Sequence, residues 1–379
     1  MSDQMNHIGV ITSSFGQFVQ DFCTALAETG RVVTIVTQDP RSFAGKPPPG
    51  ITIHRVFWAG GDRALGYMNP YNPRDALLMI SLFRNASRLL GRLVEAHPFD
   101  HVLALWAVPG GCLAWALKRK HRIPFTSWCL GSDIWTYGKI PVLKHVVRRV
   151  LKASDLVFAD GLKLAEDVEA LSGRSCPFMP TCRRLDRALS RPPAVDGEGM
   201  QFLFVGRYAR VKGVDLLLEA MSKYRRLGHR GTLNMFGWGP EEDFIRKRAS
   251  RPDLRDCVQV HGYADEATFV SYATACDCLL IPSRIESIPV VFSDALQMKK
   301  PVIATEVGDM GLLMKQSPVG ILIPPGDMEA LCRAMCEMSE SDVSQFVSNI
   351  EILSGTFDVK KTASNWLKKV EAGARSPGA

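Results

Sequence analysis

Two cations, Arg207 and Lys212, follow an apolar run that ends at Gly206. Basic side chains at the carboxyl end of a strand, just ahead of a helix, suit a phosphate group. Their N–H donors add to the free backbone N–H groups of the helix start. Two carboxylates, Glu286 and Asp294, lie in the run PSRIESIPVVFSDAL. The spacing puts Glu286 in a loop and Asp294 about a turn and a half into a helix that begins near Pro289, a favoured first helical position. Both can then face one ligand laid along the helix N-terminus. Carboxylates accept hydrogen bonds from hydroxyls, and the unpaired backbone N–H groups take an anion. Anion donors beside hydroxyl acceptors are what a sugar joined to a nucleoside diphosphate needs. Taken alone, Arg207 and Lys212 are more simply solvated loop charges. Likewise the run Thr305–Asp309, whose Gly308 permits close backbone approach, is by itself an ordinary βα turn.

These residues depend on strands that stop where they begin. Short apolar runs are expected as buried strands at 7–12, 32–37, 51–57, 101–105, 124–129 and 155–159, and again at 201–205, 231–236, 258–261, 278–281, 301–304 and 320–323. Segments with apolar residues every three or four positions separate many of them. Examples are Phe18–Leu26, Ala76–Ala96, Leu113–Lys120 and Val214–Leu227. Pro109-Gly110-Gly111 is expected to be a loop. Strand–helix alternation that stops and restarts implies two α/β domains, each a doubly wound parallel sheet. Residues 188–200, rich in Pro, Gly and charge, read as a connection. The expected division is an acceptor-side domain at 1–190, a linker at 191–199, a donor domain at 200–357, and a C-terminal helix and tail at 358–379 that packs back on the first domain. Ligands of open α/β sheets bind at the carboxyl ends of the strands, so facing sheets would share a cleft.

Composition narrows the classes. The 379 residues carry 46 Lys and Arg against 39 Asp and Glu, a net charge of +7. Residues 1–200 hold the whole excess, and residues 101–150 alone contribute eight cations and one acid. This modest charge does not argue for nucleic acid, but it can steer an anionic partner. The absence of an uninterrupted apolar run of about 18–20 residues excludes a membrane-spanning helix. The N-terminal residues lack the pattern of a secretory leader. The expected location is cytoplasmic, or peripheral on the cytoplasmic face of a membrane. Ten cysteines show no paired CxxC and no Cys/His zinc spacing. They are expected to be reduced thiols, and no metal site is expected.

The stretch from Phe204 to Leu331 resembles the nucleotide-sugar domain of the retaining GT-B glycosyltransferases of family 4. That pattern runs G-R-x4-K-G, G-x-G-P, P-S-x2-E, P-V-I-A-x3-G and P-P-G-D. Here it is carried by Gly206, Arg207, Lys212 and Gly213, by Gly237, Gly239 and Pro240, and by Pro282, Ser283 and Glu286. It continues through Pro301–Ala304, Gly308 and Pro324–Asp327. The resemblance implies that Arg207 and Lys212 hold the donor diphosphate and neutralise the leaving group, and that Glu286 contacts the sugar hydroxyls. It places the backbone of Ser287, Ile288, Pro289 and Val290 by the sugar and phosphates, and Gly262-Tyr263 by the base. Asp294 falls where the family has a ribose-binding Glu, one methylene longer. No metal or other cofactor is implied.

In the first half, Gly16 sits where the family has its glycine-rich loop, and Trp106–Gly111 resembles its W-A-x-P-x-G segment. Leu130-Gly131-Ser132-Asp133-Ile134 resembles H-G-S-D-I, with Leu130 in place of the histidine. A leucine neither accepts a proton nor donates a hydrogen bond. Asp133 reads equally as an acceptor-site carboxylate or as a cap. The segment Pro141–Lys152 is expected to be a helix with Val142, Leu143, Val146, Val147, Val150 and Leu151 on its core face. Lys144, Arg148, Arg149 and Lys152 lie opposite, as an ordinary solvated face or as a contact with anionic lipid or an anionic acceptor. Arg84, Arg88 and Arg92 add a second cationic stripe.

The expected activity is retaining, metal-independent hexosyl transfer from a nucleotide-diphosphate sugar to a glycan or lipid-linked acceptor, in polysaccharide or glycolipid biosynthesis. The alternatives are a sugar-nucleotide epimerase on the same fold and a non-catalytic sugar-nucleotide-binding subunit of a glycan assembly complex, which Leu130 favours.

Overall fold

The computed structural model describes residues 5–374 apart from 42, 44, 62, 64, 66–67, 69–71 and 195–198, so the middle of the expected linker lies outside the described residues. The chain divides into two compact units. One comprises residues 1–183 and 358–379, the other residues 184–357.

The first unit runs β1 (His7–Thr12), α1 (Gln17–Ala27), β2 (Val32–Thr37), β3 (Ile51–Arg55), α2 (Pro73–Ala96), β4 (His101–Leu105), α3 (Cys112–His121), β5 (Phe125–Cys129), α4 (Ser132–Trp135), α5 (Pro141–Ala153), β6 (Leu156–Ala159) and α6 (Leu162–Ser172). Its strands form a parallel sheet in the order β3-β2-β1-β4-β5-β6, with Ile8 beside Val33 on one flank and His101 on the other. β-branched residues bounded by small or charged ones give strands buried on both faces, and all of β4 and β5 is buried. Helix α2 starts where Asn72 accepts the N–H of Arg74 and Pro73 fills the first position.

The second unit runs β7 (Met200–Val205), α7 (Val214–Arg226), β8 (Gly231–Phe236), α8 (Glu242–Ala249), β9 (Val258–Val260), α9 (Glu266–Ala275), β10 (Cys278–Ile281), α10 (Val290–Gln297), β11 (Val302–Thr305), α11 (Met310–Gln316), β12 (Gly320–Ile323), α12 (Met328–Glu340) and α13 (Val347–Ser354). Its parallel sheet has the order β12-β11-β10-β7-β8-β9, the same winding as the first. Asp265 and Asp327 cap α9 and α12 by accepting the N–H groups of Thr268 and Ala330.

A last helix, α14 (Val359–Ala374), belongs to the first unit and packs on α1. The Trp366 ring is wholly buried and meets Phe22 and His101 edge-on, at ring-centroid distances of 6.2 and 5.7 Å. Arg31–Glu371 and Lys360–Glu28 ion pairs flank it at 2.8 and 2.7 Å.

The structure departs from expectation in three places. Residues Trp106–Gly111 wind helically, broken at Val108, where a loop is expected. The turn packs tightly because a Cβ on Gly110 would lie 2.4 Å from the Leu105 carbonyl and one on Gly111 2.6 Å from Val150. Pro289 caps α10 instead of opening it. Several expected core residues are on the surface: Leu77 and Ile80 of α2 and Val142 of α5 are 67%, 62% and 74% exposed. All ten cysteines are free thiols, eight of them buried.

Trp366→Ala removes the ring that seals α14 to the sheet of the first unit. It should cost roughly 3–5 kcal/mol. The check is a lower urea midpoint for the first unit's transition. An unchanged midpoint would mean that the helix contributes nothing to that core.

Candidate functional site

In each sheet the connections leave in opposite directions from one adjacent pair of strands, β1 and β4 in the first unit and β7 and β10 in the second. Crevices form outside the carboxyl ends of such pairs. The loops after β7 and β10 carry Arg207, Lys212 and Glu286, so topology brings together what the sequence holds far apart.

The second unit's crevice is built from four loops packed backbone to backbone. Gly213 has φ +72, and a Cβ there would lie 2.0 Å from the Pro282 carbonyl. Gly308 has φ +53, and a Cβ there would lie 2.2 Å from the Glu286 carbonyl. A Cβ on Gly237 would strike Gly206 O at 1.9 Å, and one on Gly239 would meet Tyr208 O at 2.4 Å. Arg284 ties the arrangement. Its backbone N–H donates to Val211 O at 2.7 Å, and its guanidinium forks onto Asp215 at 2.7 and 2.8 Å. Burial pushes the Asp215 carboxyl up, but the hydrogen bonds and charge of Arg284 outweigh it and hold the group below its ordinary range. Thr305 closes the base of the crevice by donating to Ser283 O at 2.5 Å.

Within this frame Lys212 and Glu286 form an ion pair, their side chains 22% and 18% exposed. Arg207 is exposed beside them in sequence, and Ile288, Pro289 and Val290 are buried or half-buried at the start of α10. The Ser287 hydroxyl is buried and makes no hydrogen bond to the described residues. A buried hydroxyl without a partner costs free energy that a ligand can return. At the end of β9, His261 stacks on Phe236, centroids 4.3 Å apart, and Tyr263 stands 78% exposed.

Asp294 lies in α10 and is 2% exposed. Arg284 and Asp215 were missed. Only a cation inside the PSRIES run hinted at them.

In the first unit the β1/β4 crevice opens into a cavity of about 530 Å³ lined by Ser13, Ser14, Asp39, Arg41, Trp106 and Ser132, among others. Gly16 caps α1, with its carbonyl taking the N–H groups of Val19 and Gln20. Trp106 adopts φ 62, a left-handed conformation rare for a bulky residue. Gly131, at φ 96, caps α4, and Leu130 beside it is half-buried.

Of the two readings of Asp133, acceptor-site carboxylate or cap, the geometry favours a holding role. Asp133 is wholly buried, accepting backbone N–H groups from Ala107 at 2.8 Å and Leu130 at 3.3 Å. Burial raises its pKa against those bonds. It joins the 106–111 turn to the start of α4. Lys144, Arg148, Arg149 and Lys152 are exposed along α5 while Val147, Val150 and Leu151 are buried. Among the described residues no helix is long and apolar enough to cross a membrane.

Residues 15–180 match the family described as glycosyl transferase 4-like domain, and residues 199–341 match glycosyl transferases group 1. The chain belongs to the group 1 glycosyltransferases. An alpha-D-kanosaminyltransferase of Streptomyces kanamyceticus is 29% identical over 32% of this chain and 32% of that protein. A glycogen synthase of Mycobacterium tuberculosis is 21% identical over 86% of this chain and 82% of its own length. Two solved structures share the fold. Sucrose-phosphate synthase from Thermosynechococcus elongatus has a TM-score of 0.77 at 20% identity, over 98% of this chain and 100% of that one. HepE of Anabaena, in complex with UDP, has a TM-score of 0.73 at 16% identity, over 97% and 100%. The chain thus has the two-domain Rossmann-like architecture of GT-B glycosyltransferases.

In this glycosyltransferase Arg284→Ala should cost about 1–3 kcal/mol at neutral pH. The folded pKa of Asp215 is lowered, so the pair contributes fully above the unfolded value of about 3.9 and is lost as pH falls through the lower folded value. Chemical denaturation at pH 7 and pH 3 checks this. The gap between wild type and variant should narrow at pH 3, and a constant gap would assign the effect to something other than the ion pair.

Proposed function

We propose that the protein transfers a hexose from a nucleotide-diphosphate donor to a hydroxyl of a glycan or lipid-linked acceptor, with the anomeric configuration retained. The carrying observation is the Lys212–Glu286 pair at the β7/β10 crevice, beside the unpartnered Ser287 hydroxyl. The donor diphosphate takes Lys212 and Arg207, and the sugar hydroxyls donate to the freed Glu286. The backbone from Ser287 to Val290, with Gly206, Gly237 and Gly239, admits the phosphates and sugar closely. Tyr263 is exposed where a base can stack on it.

The bond from the anomeric carbon to the diphosphate oxygen breaks as the acceptor oxygen bonds that carbon from the same face. The acceptor proton passes to a donor phosphate oxygen, and the nucleoside diphosphate leaves with its electrons. Cations already in place stabilise the charge that develops there, and electrostatic stabilisation of this kind usually lowers the barrier more than any other single effect. No metal ion or other cofactor enters this scheme.

The first unit supplies the acceptor side through Trp106 and the Leu130-Gly131 turn. The cations of α5 suit an anionic acceptor, or peripheral contact with anionic lipid on the cytoplasmic face. The names of the relatives support a place in polysaccharide or other glycan biosynthesis, and the UDP complex of HepE supports nucleotide-sugar binding.

The test is incubation with UDP-, GDP- and ADP-sugars, with and without a membrane extract, following nucleoside diphosphate release. Epimerisation without release would favour an epimerase, and tight donor binding without turnover a non-catalytic subunit. Arg207→Ala and Lys212→Ala should each lower kcat by roughly 10²–10³. Wild-type rates in both variants would overturn the assignment.

A further inference from the structure

A second cavity in the first unit, of about 330 Å³, lies between α2 and α5. That is within the range of ligand pockets, roughly 300–1,000 Å³. Met79, Ile80 and Phe83 of α2 line one side, and Leu143 of α5 lines the other. Leu65, Val108, Pro109 and Tyr137 line both this cavity and the polar one at the β1/β4 crevice, so the two adjoin. On one side of that boundary the lining is mostly carbon, with Asp75, paired with Arg63, as its charged member. On the other it carries hydroxyls, a carboxylate and the arginines Arg41 and Arg63. Ile80 on the lining is 62% exposed, and Leu77 on α2 and Val142 on α5, neighbours in sequence of lining residues, are 67% and 74% exposed. Arg84 and Arg88 continue the Leu77/Ile80 stripe along α2, and Lys144 and Arg148 lie along α5, all exposed.

Exposed apolar side chains around a concave apolar floor mark a binding surface. Adjacency to the polar cavity says what binds. A flat face would suit a protein partner or a membrane surface, whereas this groove leads inward to the crevice. We propose that the groove holds the hydrocarbon chain of an amphipathic acceptor whose polar head lies in the adjoining cavity. The cations on both helices suit the anionic linker of such a molecule. The proposal rests on the glycosyl-transfer reading and names its acceptor class.

The experiment titrates the full chain with dodecyl maltoside, octyl maltoside and maltose, each detergent below its critical micelle concentration, and in parallel with UDP. Saturable one-to-one binding is expected, with dodecyl at least tenfold tighter than octyl maltoside, since each buried methylene adds favourable transfer. Ile80→Glu, at an exposed position that cannot unfold the core, and Leu143→Glu should each weaken dodecyl maltoside at least tenfold and leave UDP affinity unchanged. Chain-length-independent binding, wild-type affinity in both variants, or binding only to phosphatidylglycerol vesicles and not to monomers would each overturn the proposal. Failure of the wild type to bind UDP is a separate result. It would strike the donor reading of the second unit and not the groove.

Discussion

Parallel strands cannot be joined by tight turns. Each connection must cross the sheet and return, which leaves the carboxyl ends of the strands to loops. Where the crossings change direction, two neighbouring loops part and nothing fills the space between them. Both units obey this constraint with the same strand order. The position of Arg207, Lys212 and Glu286 is a consequence of winding, and side-chain chemistry only decorates it. The cavity behind Ser13 and Trp106 arises the same way in the other sheet.

Winding alone gives a crevice; close packing makes it specific. Gly213 and Gly308 let the loops after β7, β10 and β11 touch through their backbones, and Arg284 fastens two of them from beneath through Asp215. Those supports keep the functional groups from relaxing into the space they line. Asp133 does the corresponding work in the first unit, where one buried carboxylate holds two loop segments by their N–H groups. The charges that look most catalytic in a sequence thus fall into two kinds, those that face the ligand and those that hold the loops still.

The sheets were legible in the sequence because a strand buried on both faces is a short β-branched run with abrupt ends. The strands at His7–Thr12, Val32–Thr37, His101–Leu105, Gly231–Phe236, Cys278–Ile281 and Gly320–Ile323 lie where those runs lie. Helix α9 escaped notice because its apolar residues go all the way round and leave no period. Among site residues, Arg207, Lys212 and Glu286 stand out because charge follows apolar strands directly. Depth is not written in residue type, and the sequence does not show that Asp133 and Asp294 are buried. The Arg284–Asp215 fork spans 69 positions, and no local pattern announces it. The α2 groove was invisible for the opposite reason, since Leu77 and Ile80 have the spacing of a core stripe and only tertiary packing leaves them bare.

The pairing of Lys212 with Glu286 also sets a threshold for entry. In the crevice the two charges satisfy each other, so an anion must displace a carboxylate before it gains an ammonium. A molecule that brings hydroxyls on the same frame as its phosphates compensates both partners at once. On the proposed function, the pair favours ligands that carry sugar hydroxyls and phosphate on one frame.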